Sequence, residues 1–190
     1  AASMLSASLS QLLTPEMDGR SPIKRRLPEF PFYEITSPVQ VLSELNQQFQ
    51  IDATNFQYFT MAYGLLNRAS RMLELCIAGL PYPVYLPKTL PTRLLGDGGF
   101  PGGLFEQASY ESLLIHYETG DRLFVVSDGI TECENQEGEM FGIERLQNFL
   151  NGTHDLSLKE TLEALEKAII EWNDGSEFAD DVSILGVEFP

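Results

Sequence analysis

Gly120-Asp121-Arg122-Leu123-Phe124-Val125-Val126-Ser127-Asp128-Gly129-Ile130-Thr131-Glu132 is the stretch that decides how this chain is read. Leu123 to Ser127 is a short apolar run, the pattern of a buried strand. It runs directly into Asp128-Gly129, which sets a carboxylate at the C-terminal lip of that strand. A mirror arrangement closes the chain. Asp180 and Asp181 precede the apolar run Val182-Ser183-Ile184-Leu185, at the N-terminal lip of a last strand, Val182 to Phe189. In antiparallel neighbours the end of one strand lies beside the start of the next. If these two strands pair in that way, Asp128 and Asp180 converge. Converging carboxylates are costly unless a cation neutralises them. Hard divalent ions such as Mg²⁺ or Mn²⁺ suit oxygen clusters of this kind. Taken singly, Ser-Asp-Gly is an ordinary turn and Asp-Asp a cap or a solvated pair; the weight lies in their combination.

Working outward, Ala2 to Leu13 reads as a helix, with Met4, Leu5, Leu9, Leu12 and Leu13 at helical spacing. Pro15, Gly19, Pro22, Pro28 and Pro31 then punctuate a long connection. Lys24-Arg25-Arg26 lies inside it and reads as a solvated loop. Ser37-Pro38 is an N-cap followed by a first-turn proline, opening a helix from Pro38 to Gln50. Phe56 to Leu66 and Met72 to Ala78 read as a hairpin whose strands are apolar on both faces. Short strands are expected at Tyr82 to Leu86, Thr92 to Leu95 and Tyr110 to Tyr117, with a glycine-rich loop from Gly96 to Gly103. Helices are expected over Ile143 to Leu150 and Leu158 to Trp172. A block of strands with helices in pairs argues for antiparallel sheets flanked by helices, not for βαβ units.

The chain has 190 residues, 43% apolar and 21% charged, with 28 acidic against 12 basic side chains and a net charge of −16. That suits one globular domain and disfavours nucleic acid as a partner. No apolar run approaches the roughly 18 residues needed to span a bilayer. Cys76 and Cys133 lie far apart without a disulfide framework, which fits a reducing cytoplasm, with Cys76 a core filler.

The stretch from Gly120 to Glu132, continued by Asn135, Gly138-Glu139, Phe141-Gly142 and Glu144-Arg145-Leu146, resembles the PPM-type (protein phosphatase 2C-like) phosphatases of the bacterial SpoIIE/RsbU group. Asp180-Asp181-Val182-Ser183-Ile184-Leu185 resembles that family's closing motif. Weaker similarity reaches back through Ala78-Gly79-Leu80-Pro81, Phe59-Thr60 and the first helix. The resemblance implies an α+β fold, a four-layer αββα sandwich of two antiparallel sheets between helix pairs. It also implies a two-metal centre, with Mn²⁺ or Mg²⁺, in which a metal-activated water attacks a phosphoserine or phosphothreonine. Asp128 and Asp180 match catalytic metal ligands, Asp181 a position that supports or ligates the metal, and Gly129 a close backbone turn beside the ion. The family's remaining ligands come from a motif upstream of the first helix, and this sequence begins after it. The expectation is therefore a single PPM-type domain over residues 1–190, incomplete at its N-terminus and inactive by itself.

A phosphoprotein substrate such as an anti-sigma-factor antagonist is what this resemblance implies. So is an upstream regulatory domain, a receiver domain if the chain is the output module of an RssB-type response regulator. The helices Ala2 to Leu13 and Pro38 to Gln50 are then the candidate regulatory surface, and a homodimer stays open. The rival reading is a phosphatase-shaped adaptor that binds a sigma factor or regulator without catalysis. Other candidates read as structure. His116 and His154 have no ligand partner at useful spacing. Gly96 to Gly103 lacks the lysine and helix of a phosphate loop. Glu132, Glu134, Glu137 and Glu139 form a solvated, flexible loop near the site.

Overall fold

The computed structural model describes residues 2–14, 21–51, 57–96 and 98–190, the side chains of 2–4 excepted. The start of the expected strand at Phe56, the packing of Met4, and Pro15 and Gly19 lie outside them. Helices, in chain order, are α1 (Ala2–Leu12), α2 (Pro38–Gln48), α3 (Asp128–Thr131), α4 (Gly142–Asn151) and α5 (Leu158–Trp172). Strands are β1 (Lys24–Arg26), β2 (Tyr33–Ile35), β3 (Met61–Asn67), β4 (Met72–Ala78), β5 (Val84–Leu86), β6 (Arg93–Leu94), β7 (Leu113–His116), β8 (Arg122–Val126) and β9 (Ile184–Glu188). Mixed α and β structure with antiparallel pairing agrees with the class read from the sequence. The chain divides into two compact units, described separately.

The first unit holds residues within 1–67, 73–79 and 98–115. Its centre is α2. The Ser37 hydroxyl caps it by accepting from the Gln40 N–H, and Pro38 supplies a preset φ at the first turn. Val41 and Leu45 are fully buried with Leu9 of α1 and Phe59, while Leu42 packs on Cys76, Ala78 and Tyr110. Burial pushes the Cys76 thiol up to about 11, so it is a neutral core filler as expected. The strand order is β3-β4-β7. β4 is almost wholly buried, but β3 is not: Leu66 is 43% exposed. The expectation that both strands are covered on both faces holds for β4 alone, because β3 is the sheet's edge.

The glycine-rich loop is more than a connection. Phe59 and Gly102 exchange both backbone hydrogen bonds, at 2.9 and 2.8 Å. A Cβ on Gly102 would stand 2.1 Å from the Phe59 ring, so only glycine allows this approach. The buried Asn46 amide of α2 accepts from the Gly103 N–H and the Tyr110 hydroxyl and donates to the Phe105 carbonyl. Lys24-Arg25-Arg26, expected as loop, instead forms β1 and pairs antiparallel with β2. The prolines that masked its periodicity lie outside the two strands.

The second unit holds residues within 68–72, 80–97 and 116–190. Its sheet has the order β6-β5-β8-β9, antiparallel at every neighbour. Val84, Leu86, Phe124 and Val126 on one face meet Leu146 and Leu150 of α4 and Leu165 and Ile169 of α5. A capping box between Ser157 and Glu160 fixes the start of α5. At the far end of β8, the buried Asp121 carboxylate accepts from the Tyr85 hydroxyl and from the backbone N–H groups of Lys88 and Glu118.

Burial by itself would raise the Asp121 pKa, yet the hydrogen bonds outweigh it and hold the group below its ordinary value. A carboxyl depressed in the folded state stabilises above its unfolded pKa of about 3.9, and that contribution is lost as pH falls through the folded value. Asp121→Asn should therefore cost about 1–3 kcal/mol near neutral pH, since its amide NH₂ would face donors. Urea unfolding should also lose less stability between about pH 4 and pH 2 in the variant than in the unsubstituted chain.

Candidate functional site

β8 and β9 pair through Arg122↔Glu188, Leu123↔Val187, Phe124↔Gly186, Val125↔Leu185 and Val126↔Ile184. The C-terminal end of β8 therefore lies beside the start of β9, and the residues just beyond the ladder meet there. Ser127 continues the pairing: its N–H donates to the Ser183 carbonyl at 3.0 Å. Its hydroxyl donates to the Asp181 carbonyl at 2.8 Å and accepts from the Ser183 N–H at 2.9 Å. One side chain thus clamps the segment 181–183 to the end of β8. The only sequence signal for it is a serine placed where a strand turns into a helix.

Asp128 does not sit in a simple turn but opens α3, a single helical turn. Its carboxylate accepts from the Gly129 N–H at 3.1 Å, and its carbonyl accepts from the Glu132 N–H and the Thr131 hydroxyl. Asp180 likewise accepts from the Asp181 N–H at 2.7 Å. Gly129 has a steric reason visible without any ion. A Cβ there would lie 2.5 Å from the Asp181 carbonyl oxygen and 3.4 Å from the Asp180 carbonyl carbon. The glycine lets the two acidic backbones pass in contact.

Asp128, Asp180 and Asp181 are all solvent-exposed. Water solvates all three, so the cost of bringing their charges together is lower than it would be in a buried cluster. Chemically they suit Mg²⁺ or Mn²⁺, being hard oxygen donors only. In number they fall short of a metal cage: among the described residues no three His, Cys, Asp or Glu side chains come together as one. Asp180 borders two clefts, one of 460 Å³ shared with Gly129, Glu132 and Asn135, the other of 600 Å³ shared with Asp181, Val182 and Ile169.

The wall beside the first cleft is firmly built. The Trp172 N–H donates to the Cys133 carbonyl at 3.0 Å, and the Arg145 guanidinium lies 4.3 Å over the Trp172 ring. Burial pushes the Cys133 thiol up, so it supplies no thiolate nucleophile. Glu132, Glu134, Glu137 and Glu139 are exposed as expected, but their loop is organised: the Asn135 side chain accepts from the N–H groups of Glu137 and Glu139. His116 is exposed, and both ring nitrogens of His154 meet carbonyls, of Asn151 and Leu90. Neither approaches the aspartates as a ligand. No helix among the described residues is long and apolar enough to cross a membrane.

The three- and four-stranded sheets with their helices have the fold class of the PP2C-type phosphatase domains. The SiaA PP2C domain of Pseudomonas aeruginosa superposes with a TM-score of 0.76 at 17% identity, over 98% of this chain and 68% of that one. The manganese-presoaked SpoIIE phosphatase domain of Bacillus subtilis gives a TM-score of 0.59 at 15% identity, over 97% and 71%. The family model for stage II sporulation protein E (SpoIIE) matches residues 1–190, and the chain belongs to that family. The phosphoserine phosphatase RsbU of Bacillus subtilis (strain 168) is 29% identical over 102 residues, 53% of this chain; the chain spans 30% of RsbU.

The Gly129 contact gives a direct test. Gly129→Ala should force the 180–181 backbone away from α3 and lower stability by about 1–3 kcal/mol. Ser127→Ala, which removes the clamp without a clash, should cost about 1 kcal/mol. Thermal unfolding of both variants would check the order of the two effects.

Proposed function

We propose that this chain carries part of a metal-dependent centre that hydrolyses phosphoserine or phosphothreonine on a signalling phosphoprotein. The observation that supports it is the β8–β9 register, which puts Asp128 and Asp180 at one lip of a sheet, beside open clefts, in a chain of the SpoIIE family. Asp128 and Asp180 would hold Mn²⁺ or Mg²⁺, with Asp181 as a further ligand or support. When bound, the metals supply an activated water and stabilise charge on the phosphoryl oxygens.

The chain's own residues do the rest. Gly129 keeps the two acidic backbones in contact, and Ser127 fixes the segment that carries Asp180 and Asp181. Both act by holding oxygen donors at fixed positions before substrate arrives. The Ser127 hydroxyl is engaged by two hydrogen bonds and the Cys133 thiol is buried, which suits direct attack by water over attack by either side chain. The substrate in this reading is a small phosphoprotein such as an anti-sigma-factor antagonist, in the cytoplasm, under control of an upstream regulatory domain.

The shortage of ligands among the described residues favours one rival, a phosphatase-shaped adaptor that binds a sigma factor or regulator without turnover. The same shortage leads us to expect no turnover from the 190-residue chain by itself. Asp128→Asn in the whole protein separates the readings. Under the enzyme reading it abolishes Mn²⁺-dependent release of phosphate from a phosphoserine protein and leaves partner affinity unchanged. Under the adaptor reading the unsubstituted protein releases none.

A further inference from the structure

At the end of β8 away from the acidic lip, a cleft of 160 Å³ is lined by Lys88, Gly120, Arg122, His154 and Glu188. The strand itself, Arg122 to Val126, sets the two ends roughly 13 Å apart. The Lys88 side chain lies over the Gly120 turn: a Cβ on Gly120 would stand 3.1 Å from its Cδ and 3.5 Å from its Nζ. Its backbone N–H is fixed on the Asp121 carboxylate at 2.8 Å. Arg122 supplies the buried part of the lining, with its side chain 11% exposed. Its Nε donates to Glu188 and its Nη2 to the Leu156 carbonyl, both at 2.8 Å. Its Nη1 reaches the Thr153 carbonyl at 3.5 Å and the Thr161 hydroxyl at 3.4 Å. These four acceptors leave one of the five guanidinium N–H groups without a partner among the described residues. The His154 ring closes one side, both its nitrogens held by the carbonyls of Asn151 and Leu90.

We propose that this cleft binds a small oxyanion of the phosphate class, held between the Lys88 ammonium and the Arg122 guanidinium. Charge selects that ligand. The acids on and beside the cleft are already engaged: Glu188 with Arg122, and Glu118 with Arg71 at 2.8 Å. Asp121 is turned to the Tyr85 hydroxyl and two backbone N–H groups. Lys88 forms no ion pair among the described residues and is left as the cation without a counter-charge. A second cation would meet Lys88 and Arg122 directly, and an apolar molecule would leave the unspent N–H dry. An oxyanion accepts from both groups, and bonds of that kind are charge-assisted. At roughly 30 Å³ per water, the volume is that of about five waters, room for one phosphate group and not for a nucleotide.

Glu188 is the one acid lining the cleft among the described residues. Its charge opposes the ligand, so neutralising Glu188 strengthens binding where neutralising Lys88 weakens it. Free phosphate and the phosphate of a modified side chain share the required chemistry. The cleft does not depend on the phosphatase reading and would serve an enzyme or an adaptor equally.

The test titrates inorganic phosphate into the isotopically labelled 190-residue chain at about 0.15 M ionic strength, where exposed charges beyond about 8 Å are screened. Amide shifts should fall on Lys88, Gly120, Arg122, His154 and their neighbours. Lys88→Gln should weaken binding roughly 5-fold or more, and Lys88→Arg, which keeps the charge, should restore it. Glu188→Gln, whose amide oxygen still accepts from Arg122, should tighten binding roughly 3- to 5-fold. Glu137→Gln, on the Asn135 turn, should leave the affinity unchanged. O-phosphoserine run in parallel separates the two sources, the tighter probe naming the one the cleft is built for. Should a variant unfold, other anions decide on the unsubstituted chain: sulfate should reproduce the shifts and chloride should not. Equal shifts with chloride, shifts confined to other segments, no response to either phosphate probe, or unchanged affinity in folded Lys88→Gln would each overturn the proposal.

Discussion

The pairing of β8 with β9 is the constraint on which the second unit depends. It is pinned at both ends by side chains, not by backbone alone. At one end Ser127 bonds to both Asp181 and Ser183. At the other, Arg122 donates to the Glu188 carboxylate at 2.8 Å and to the Leu156 carbonyl at 2.8 Å. Asp121 gathers three donors there, and Tyr117 stacks on Phe189 at 4.4 Å. A slip of one residue would turn every side chain of β9 to the opposite face. It would also carry Asp180 and Asp181 away from α3.

Packing reinforces the same register. Gly186 lies opposite Phe124, and a Cβ there would meet Leu158 of α5 at 2.8 Å. Strand β9 comes this close to α5 at Gly186 because that residue has no side chain. The sheet, α5 and the acidic lip are fixed by one set of contacts, which is why the site's backbone is defined although its carboxylates are exposed.

Electrostatics divides the molecule's surface. The acidic lip and the glutamates of the Asn135 turn lie in the second unit, where they suit a cation and repel an unaccompanied phosphate. The β1–β2 ribbon, in the first unit, carries Lys24, Arg25 and Arg26 in consecutive positions.

The sequence by itself determined the elements with strong periodicity and the acidic lip. Leu123 to Val126 and the stripe on α5 were legible because burial imposes a pattern on consecutive residues, and Ser37-Pro38 because a cap is a local event. That the end of β8 lies beside the start of β9 followed from strand polarity alone. Only the tertiary structure decided the rest. β1 was hidden because its partner lies seven to eleven residues away across a proline-rich turn. The clamp by Ser127 and the steric need for Gly129 depend on a segment 52 to 56 residues distant, whose position no local pattern encodes. The exposure of the three aspartates was likewise a matter of packing. Their positions were written in the sequence, but whether water reaches them was set by how the strands end.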